Sequence, residues 1–394
     1  MGAMALVAVT AGLIVAVYLG WEARRFRERR QTRRFSRVSR IPRSYFLGLN
    51  FLLNEETDKA VEVLTKMLAI DRETIETHLA LGKLFRRRGE VDRAIHIHHN
   101  LIARPQLPKR YRERSMYELG QDYFSAGMLD RAEQIFSELS HTKFYAKEAL
   151  NMLIDIYQQE KDWRHAIEIA TQYEQLTHQK MGPIIAHFYC ERAEQALLKG
   201  DLDKAKDRLA KALSHDPESV RASALQAKMA IQNGDYAQAL RSLKAIQHQN
   251  AVFLSESIDL LVDCYQKLGQ EEALIDYLRE LLAKHPHTAV LHKLAEYLRK
   301  KQGAKAALLF VLDYVRQHPS LRGLQILIHC YRHTTEDQTR EDINILQKLM
   351  KSVLSHRPGY QCSECGFSCS ILHWQCPGCR HWNTIQPALD MLSS

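Results

Sequence analysis

Four cysteines near the end of the chain, Cys362, Cys365, Cys376 and Cys379, fall into two C-x2-C pairs with ten residues between them. Each pair wraps a tight turn that aims two thiolates at one point. Two such turns on facing hairpins complete a tetrahedral four-sulfur site for one Zn or Fe ion. Gly366 and Gly378 suit the positive φ that such turns require. Two disulfides are the competing reading, but a closed four-cysteine site explains all four residues at once and leaves no coordination position open. The expected centre is therefore structural rather than catalytic. Cys369 lies between the knuckles and reads as a packed or exposed thiol rather than a spare ligand, and His373 and His381 read as surface residues.

No other group of residues assembles a reaction site. His96, His98 and His99 form the densest histidine cluster, but at i, i+2 and i+3 of one helix they cannot face a common point. His98 alone falls on the inward position. A Gly-rich phosphate loop, G-x-S-x-G and H-E-x-x-H are all absent. These features exclude the common enzyme classes. Cys190, Cys264 and Cys330 sit in apolar helical surroundings and read as reduced core residues, which fits a reducing compartment.

The elements that must carry the knuckles are helical. From Ser44 to about Leu354 a 34-residue period recurs: Leu47-Gly48, Phe51 and Ala60 align with Leu81-Gly82, Phe85 and Ala94, then with Leu119-Gly120, Tyr123 and Ala132. Later units keep the small and large positions, as in Tyr157 with Ala166, Ala196 with Ala205 and Ala230 with Ala239. Turn glycines recur at Gly89, Gly127, Gly200, Gly234 and Gly269. The pattern resembles the tetratricopeptide repeat, a helix-turn-helix unit that buries its apolar face only by stacking on its neighbours. About eight units are expected, with a ninth pair over 321–354 as a cap. Asp92 and Asp130 are expected to cap or precede second helices. The fold class is all-α, a tetratricopeptide solenoid with a small C-terminal rubredoxin-like or zinc-ribbon domain whose core is separate from the array.

The other end has a different chemistry. Met1–Trp21 carries no charged side chain, and 21 helical residues span roughly 30 Å, the thickness of a bilayer core. Ten arginines follow between Arg24 and Arg43 against Glu22 and Glu28. Positive charge after an apolar run indicates a transmembrane anchor rather than a signal peptide, with the rest of the chain cytoplasmic. The formal net charge of +9 comes almost entirely from this stretch, so nucleic acid is not an expected partner. The expected divisions are an anchor over 1–21, a stalk over 22–43, the repeat array over 44–355 and the metal-binding domain over 356–394.

This order of parts, with segments such as Gly48-Leu49-Asn50-Phe51-Leu52-Leu53, Arg88-Gly89-Glu90-Val91-Asp92-Arg93-Ala94-Ile95, Ala186-His187-Phe188-Tyr189-Cys190-Glu191 and Trp374-Gln375-Cys376-Pro377-Gly378-Cys379, resembles the lipopolysaccharide assembly protein B family of Gram-negative bacteria along essentially the whole chain. The resemblance implies an inner-membrane regulator facing the cytoplasm. It further implies an adaptor that helps the FtsH protease degrade the lipid A deacetylase and that gathers other lipopolysaccharide assembly proteins. It places the family's metal ligands on Cys362, Cys365, Cys376 and Cys379. A membrane-tethered chaperone cofactor and a redox protein are the rival readings. The early repeats lack the recurring inward Lys and Asn of a carboxylate clamp, and electron-transfer rubredoxins have a longer interval between their knuckles.

Overall fold

The computed structural model of the chain describes residue 51 and residues 72–334, 337–355 and 359–388. The anchor expected over 1–21, the stalk over 22–43 and most of the first repeat lie outside the described residues. Among the described residues no helix is long and apolar enough to cross a membrane. The described chain packs as two units divided between Met128 and Leu129.

In the first unit, α1 (Arg72–Arg87) and α2 (Val91–Ile102) form one helix pair, and α3 (Lys109–Ser125) packs on both. Gly89 turns the chain with φ 82°, a left-handed conformation that costs glycine little. Close approach of α1 and α2 depends on Gly82, where an added Cβ would lie 2.4 Å from the His98 ring. His98 is fully buried, so the inward position expected for it is correct, while His96 and His99 are exposed. Its Nδ1–H donates to Asp122 Oδ2 at 2.5 Å, and Arg86 pairs with Asp122 and Glu118 at 2.6 and 2.9 Å. Lys83 adds a 2.7 Å pair to Glu118. These are charges taken out of water, tolerable only because each carboxylate is met by several donors.

The second unit repeats the scheme from α4 (Leu129–Leu139) through α5 (Ala146–Glu160), α6 (Trp163–Thr177), α7 (Gly182–Leu198), α8 (Leu202–His215), α9 (Val220–Gln232) and α10 (Tyr236–Gln249). A single 3-10 turn, Ala251–Phe253, leads into α11 (Leu254–Lys267), α12 (Glu271–Lys284), α13 (Thr288–Gln302), α14 (Ala304–Gln317), α15 (Leu321–Arg332) and α16 (Asp337–Ser355). Each helix packs on the next, and the first helices of neighbouring pairs also meet, as in α7 with α9, α11 with α13 and α13 with α15. Ala132, Ala166, Ala205 and Ala239 are fully buried, which is the close-contact role their spacing predicts. The capping differs from expectation. Asp92 and Asp130 lie inside the first helical turn, where a carboxylate suits the positive helix end, while Asp162, Asp201 and Asp235 cap later second helices by accepting a backbone N–H. Cys190, Cys264 and Cys330 are buried free thiols, and burial pushes the Cys190 thiol up to about 12.

Beyond α16 come three short antiparallel strands, β1 (Tyr360–Cys362), β2 (Ser368–Cys369) and β3 (Ile385–Pro387), in the order β2-β1-β3. They belong to the same compact unit as α4–α16.

The buried ion set of the first unit yields a direct test. Asp122→Ala leaves Arg86 and His98 without their shared acceptor and should destabilise that unit by about 3–5 kcal/mol. Urea unfolding monitored by hydrogen exchange of α1–α3 measures this, and wild-type stability would mean the pairs contribute nothing.

Candidate metal centre and its docking face

The two knuckles share one backbone plan. Gly366 N–H donates to the Cys362 carbonyl at 3.1 Å, and Arg380 N–H donates to the Cys376 carbonyl at 2.8 Å. Cys362 N–H donates to the Phe367 carbonyl and Cys376 N–H to that of His381, at 2.8 and 2.9 Å. Each turn closes with a left-handed residue, Gly366 at φ 74° and Arg380 at φ 60°. The positive φ expected at Gly378 therefore falls on Arg380 instead. Gly378 serves close approach: a Cβ there would lie 3.3 Å from Cys365 Sγ and 3.4 Å from Phe367 Cβ.

The structure brings all four predicted cysteines together, with every sulfur within 4.8 Å of the others. Cys362 and Cys379 are 3.7 Å apart and Cys365 and Cys376 3.6 Å apart, sulfur to sulfur. A disulfide needs about 2.05 Å. Four sulfurs placed tetrahedrally at about 2.3 Å from one ion stand roughly 3.8 Å apart. The cluster is thus consistent with one Zn or Fe ion, which would be fully enclosed by sulfur. Burial opposes ionisation of Cys362, yet the Thr384 side chain and the backbone N–H groups of Cys365 and Glu364 bring its thiol down to about 6, whereas at Cys365 a backbone N–H of Phe367 is outweighed by burial and the neighbouring sulfurs, which push that thiol up to about 12. Cys369 is half-buried on β2 and lies outside the four-sulfur group, and His381 is exposed.

The expectation of a core separate from the array is not met. In the 359–388 segment Cys362, Cys376 and Ile385 form one small buried cluster, while Leu372 and Trp374 pack against the main apolar cluster of the helices. Trp374 stacks on Phe253 at 5.5 Å between centroids. Trp382 stacks on His187 at 4.8 Å and meets Trp163 and Phe188 edge-on at 6.2 and 5.9 Å. Gln158 Oε1 accepts two hydrogen bonds, from Trp382 Nε1 at 2.7 Å and Gln375 Nε2 at 3.1 Å. The Arg221 guanidinium, paired with Glu191 and Glu194, lies 5.9 Å from the centroid of Trp382, and Tyr360 donates to Glu256 at 2.6 Å.

These docking residues were not read from the sequence, yet a signal was there. His187, Arg221 and Glu256 each stand thirteen residues ahead of a turn glycine, Gly200, Gly234 and Gly269. Three large polar side chains at one repeat position, two of them nearly fully buried, mark a face built for a partner. Two tryptophans on a segment too small to bury them complete the hint.

Comparison with known proteins agrees with this geometry. Residues 360–387 match the family model described as a rubredoxin metal binding domain, and 77–110 and 196–254 match tetratricopeptide repeat models. The chain is 35% identical over 376 residues to lipopolysaccharide assembly protein B of Escherichia coli strain K12, covering 95% of this chain and 96% of the relative. It is 32% identical over 359 residues to the protein of the same name from Haemophilus influenzae, covering 89% and 90%.

Trp382→Ala should remove the anchor of the docked strands and destabilise the second unit by about 3 kcal/mol, seen as a lower urea midpoint at full metal content. His187 sets a pH dependence. Burial first, then the Arg221 charge, lowers its pKa to about 3, with Asn383 acting the other way. The unfolded imidazole titrates near 6.5, so below that pH the unfolded chain binds a proton that the docked state refuses. Stability is full above about pH 6.5 and falls towards pH 3 by up to ~1.4 kcal/mol per pH unit. Urea midpoints between pH 5 and 7.5 should therefore slope less in His187→Gln than in wild type, and equal slopes would contradict the assignment.

Proposed function

Because the chain belongs to the lipopolysaccharide assembly protein B family, a tetratricopeptide adaptor rather than an enzyme, we propose that it regulates lipopolysaccharide assembly by joining proteins at the bacterial inner membrane. The joined proteins are the FtsH protease and the lipid A deacetylase, whose degradation limits lipopolysaccharide synthesis, with other assembly proteins gathered on the same scaffold. The observation that carries the adaptor reading is the docking of the four-sulfur centre onto α5, α7, α9 and α11. A metal enclosed by four sulfurs and pressed against a helical array orders a surface and leaves no position for substrate.

In this reading Cys362, Cys365, Cys376 and Cys379 hold one Zn or Fe ion. When bound, the metal fixes both knuckle turns and so presents Gln375, Arg380 and Trp382 to the helices. The apolar segment 1–21 holds the array at the membrane with the bulk of the chain cytoplasmic, and the arginines of 22–43 keep it close to anionic lipid. Tethering raises the local concentration of a bound client at a membrane protease without any new contact.

Two truncations test the proposal. Removal of 1–21 should leave client binding intact in pull-downs and lengthen the deacetylase half-life in cells. Removal of 359–394 should also lengthen it, through loss of the ordered surface. A deletion strain with unchanged deacetylase half-life and unchanged lipopolysaccharide content would contradict the proposed partners.

A further inference from the structure

Helices of a repeat array bury their apolar faces on the next repeat, so the last helix needs a polar outer face to end the stack. Helix α16 is that last helix: it packs on α15, and after it the chain turns to the strands of the metal domain. Its outer face is not polar. Ile343 is buried, but Ile345, Leu346 and Leu349 are 56%, 52% and 58% exposed. At spacings of three and four residues they form one stripe along one side of the helix. No other helix among the described residues exposes more than two large apolar side chains.

The charges of α16 are ordered along its axis. Its first half carries Asp337, Glu341 and Asp342 with Arg340, a net of two negative charges, and its second half carries Lys348 and Lys351, two positive charges. Glu341, Ile345 and Lys348 follow one another at i, i+4 and i+7, so both charges border the same edge of the stripe. Both side chains are exposed. A membrane surface does not fit, because the helix lacks the basic excess of an interfacial helix. A second copy of the helix laid parallel would set like charges together. Laid antiparallel it sets unlike charges together, and does so twice about a two-fold axis. We propose that the apolar stripe of α16 is the contact between two copies of this chain, with Ile345 of each seated on Leu349 of the other and Glu341 of each beside Lys348 of the other. The stripe supplies the dry contact, and the edge charges select the orientation. Pairing also brings two arrays together, so that two joined proteins need not bind the same copy.

Sedimentation equilibrium of the full-length chain in neutral detergent tests this. Wild type should sediment as a concentration-dependent dimer. Leu346→Asp and Leu349→Asp should each weaken pairing by about a hundredfold or more, since each change counts twice across the axis, with helical circular dichroism unchanged. Glu341→Lys and Lys348→Glu should each weaken it by about tenfold. The double variant, in which the two charges are exchanged, should recover wild-type affinity, a recovery that a purely structural role for either residue would not produce. A monomeric wild type, whether its stripe stays bare or is covered by a different protein or by residues 389–394, would overturn the proposal. So would a dimer unaffected by Leu346→Asp and Leu349→Asp, which would place the contact elsewhere, residues 1–21 included. Single charge variants that weaken pairing, with no recovery in the double variant, would overturn the antiparallel seating.

Discussion

The stacking of Trp382 on His187, with Gln158 accepting the indole N–H, is the contact on which the second unit depends. The C-terminal segment that carries Trp382 gathers one small buried cluster, Cys362, Cys376 and Ile385. So small a core cannot hold a fold alone. Two external supports replace it. A metal ion on four sulfurs fixes the two turns, and the helical array covers the tryptophans that the strands cannot bury. The supports are linked, because Gln375 and Arg380 directly flank the ligands Cys376 and Cys379 and both reach the side chains of α5. Metal binding and docking thus stabilise each other.

The array gains from the arrangement as well. His187 and Arg221 are buried and would be costly there without partners. Arg221 has Glu191 and Glu194 on one side and the Trp382 ring on the other, Glu256 accepts from Tyr360, and the neutral His187 ring has an aromatic face to lie on. One repeat position has been turned from apolar packing to recognition of the chain's own C-terminal segment. The same logic of matched charge runs through the first unit, where Asp122 serves both Arg86 and His98.

Much of this was legible in the sequence because each signal was local. The 34-residue period, the turn glycines and the buried alanines report helix-on-helix spacing within one repeat, and the C-x2-C pairs report a turn that brings two sulfurs together. The docking face was not legible in the same way, since it joins Gln158 to Gln375 and Trp382 across more than two hundred residues. Local rules also misassigned two details. Gly378 looked like a turn residue but is needed for its missing Cβ, and Asp92 and Asp130 looked like caps but lie within the first helical turn. In both cases the residue type was informative and its exact job depended on a neighbour one turn away in space.

The central claim is that the metal centre supports the helices it rests on. Hydrogen exchange of the full-length chain with its metal bound, and again after removal by a chelator under reducing conditions, measures this directly. The account predicts that protection falls in the strands and also in α5, α7, α9 and α11, while α1–α3 keep theirs. Loss of protection confined to 359–388, with α5, α7, α9 and α11 unchanged, would contradict it.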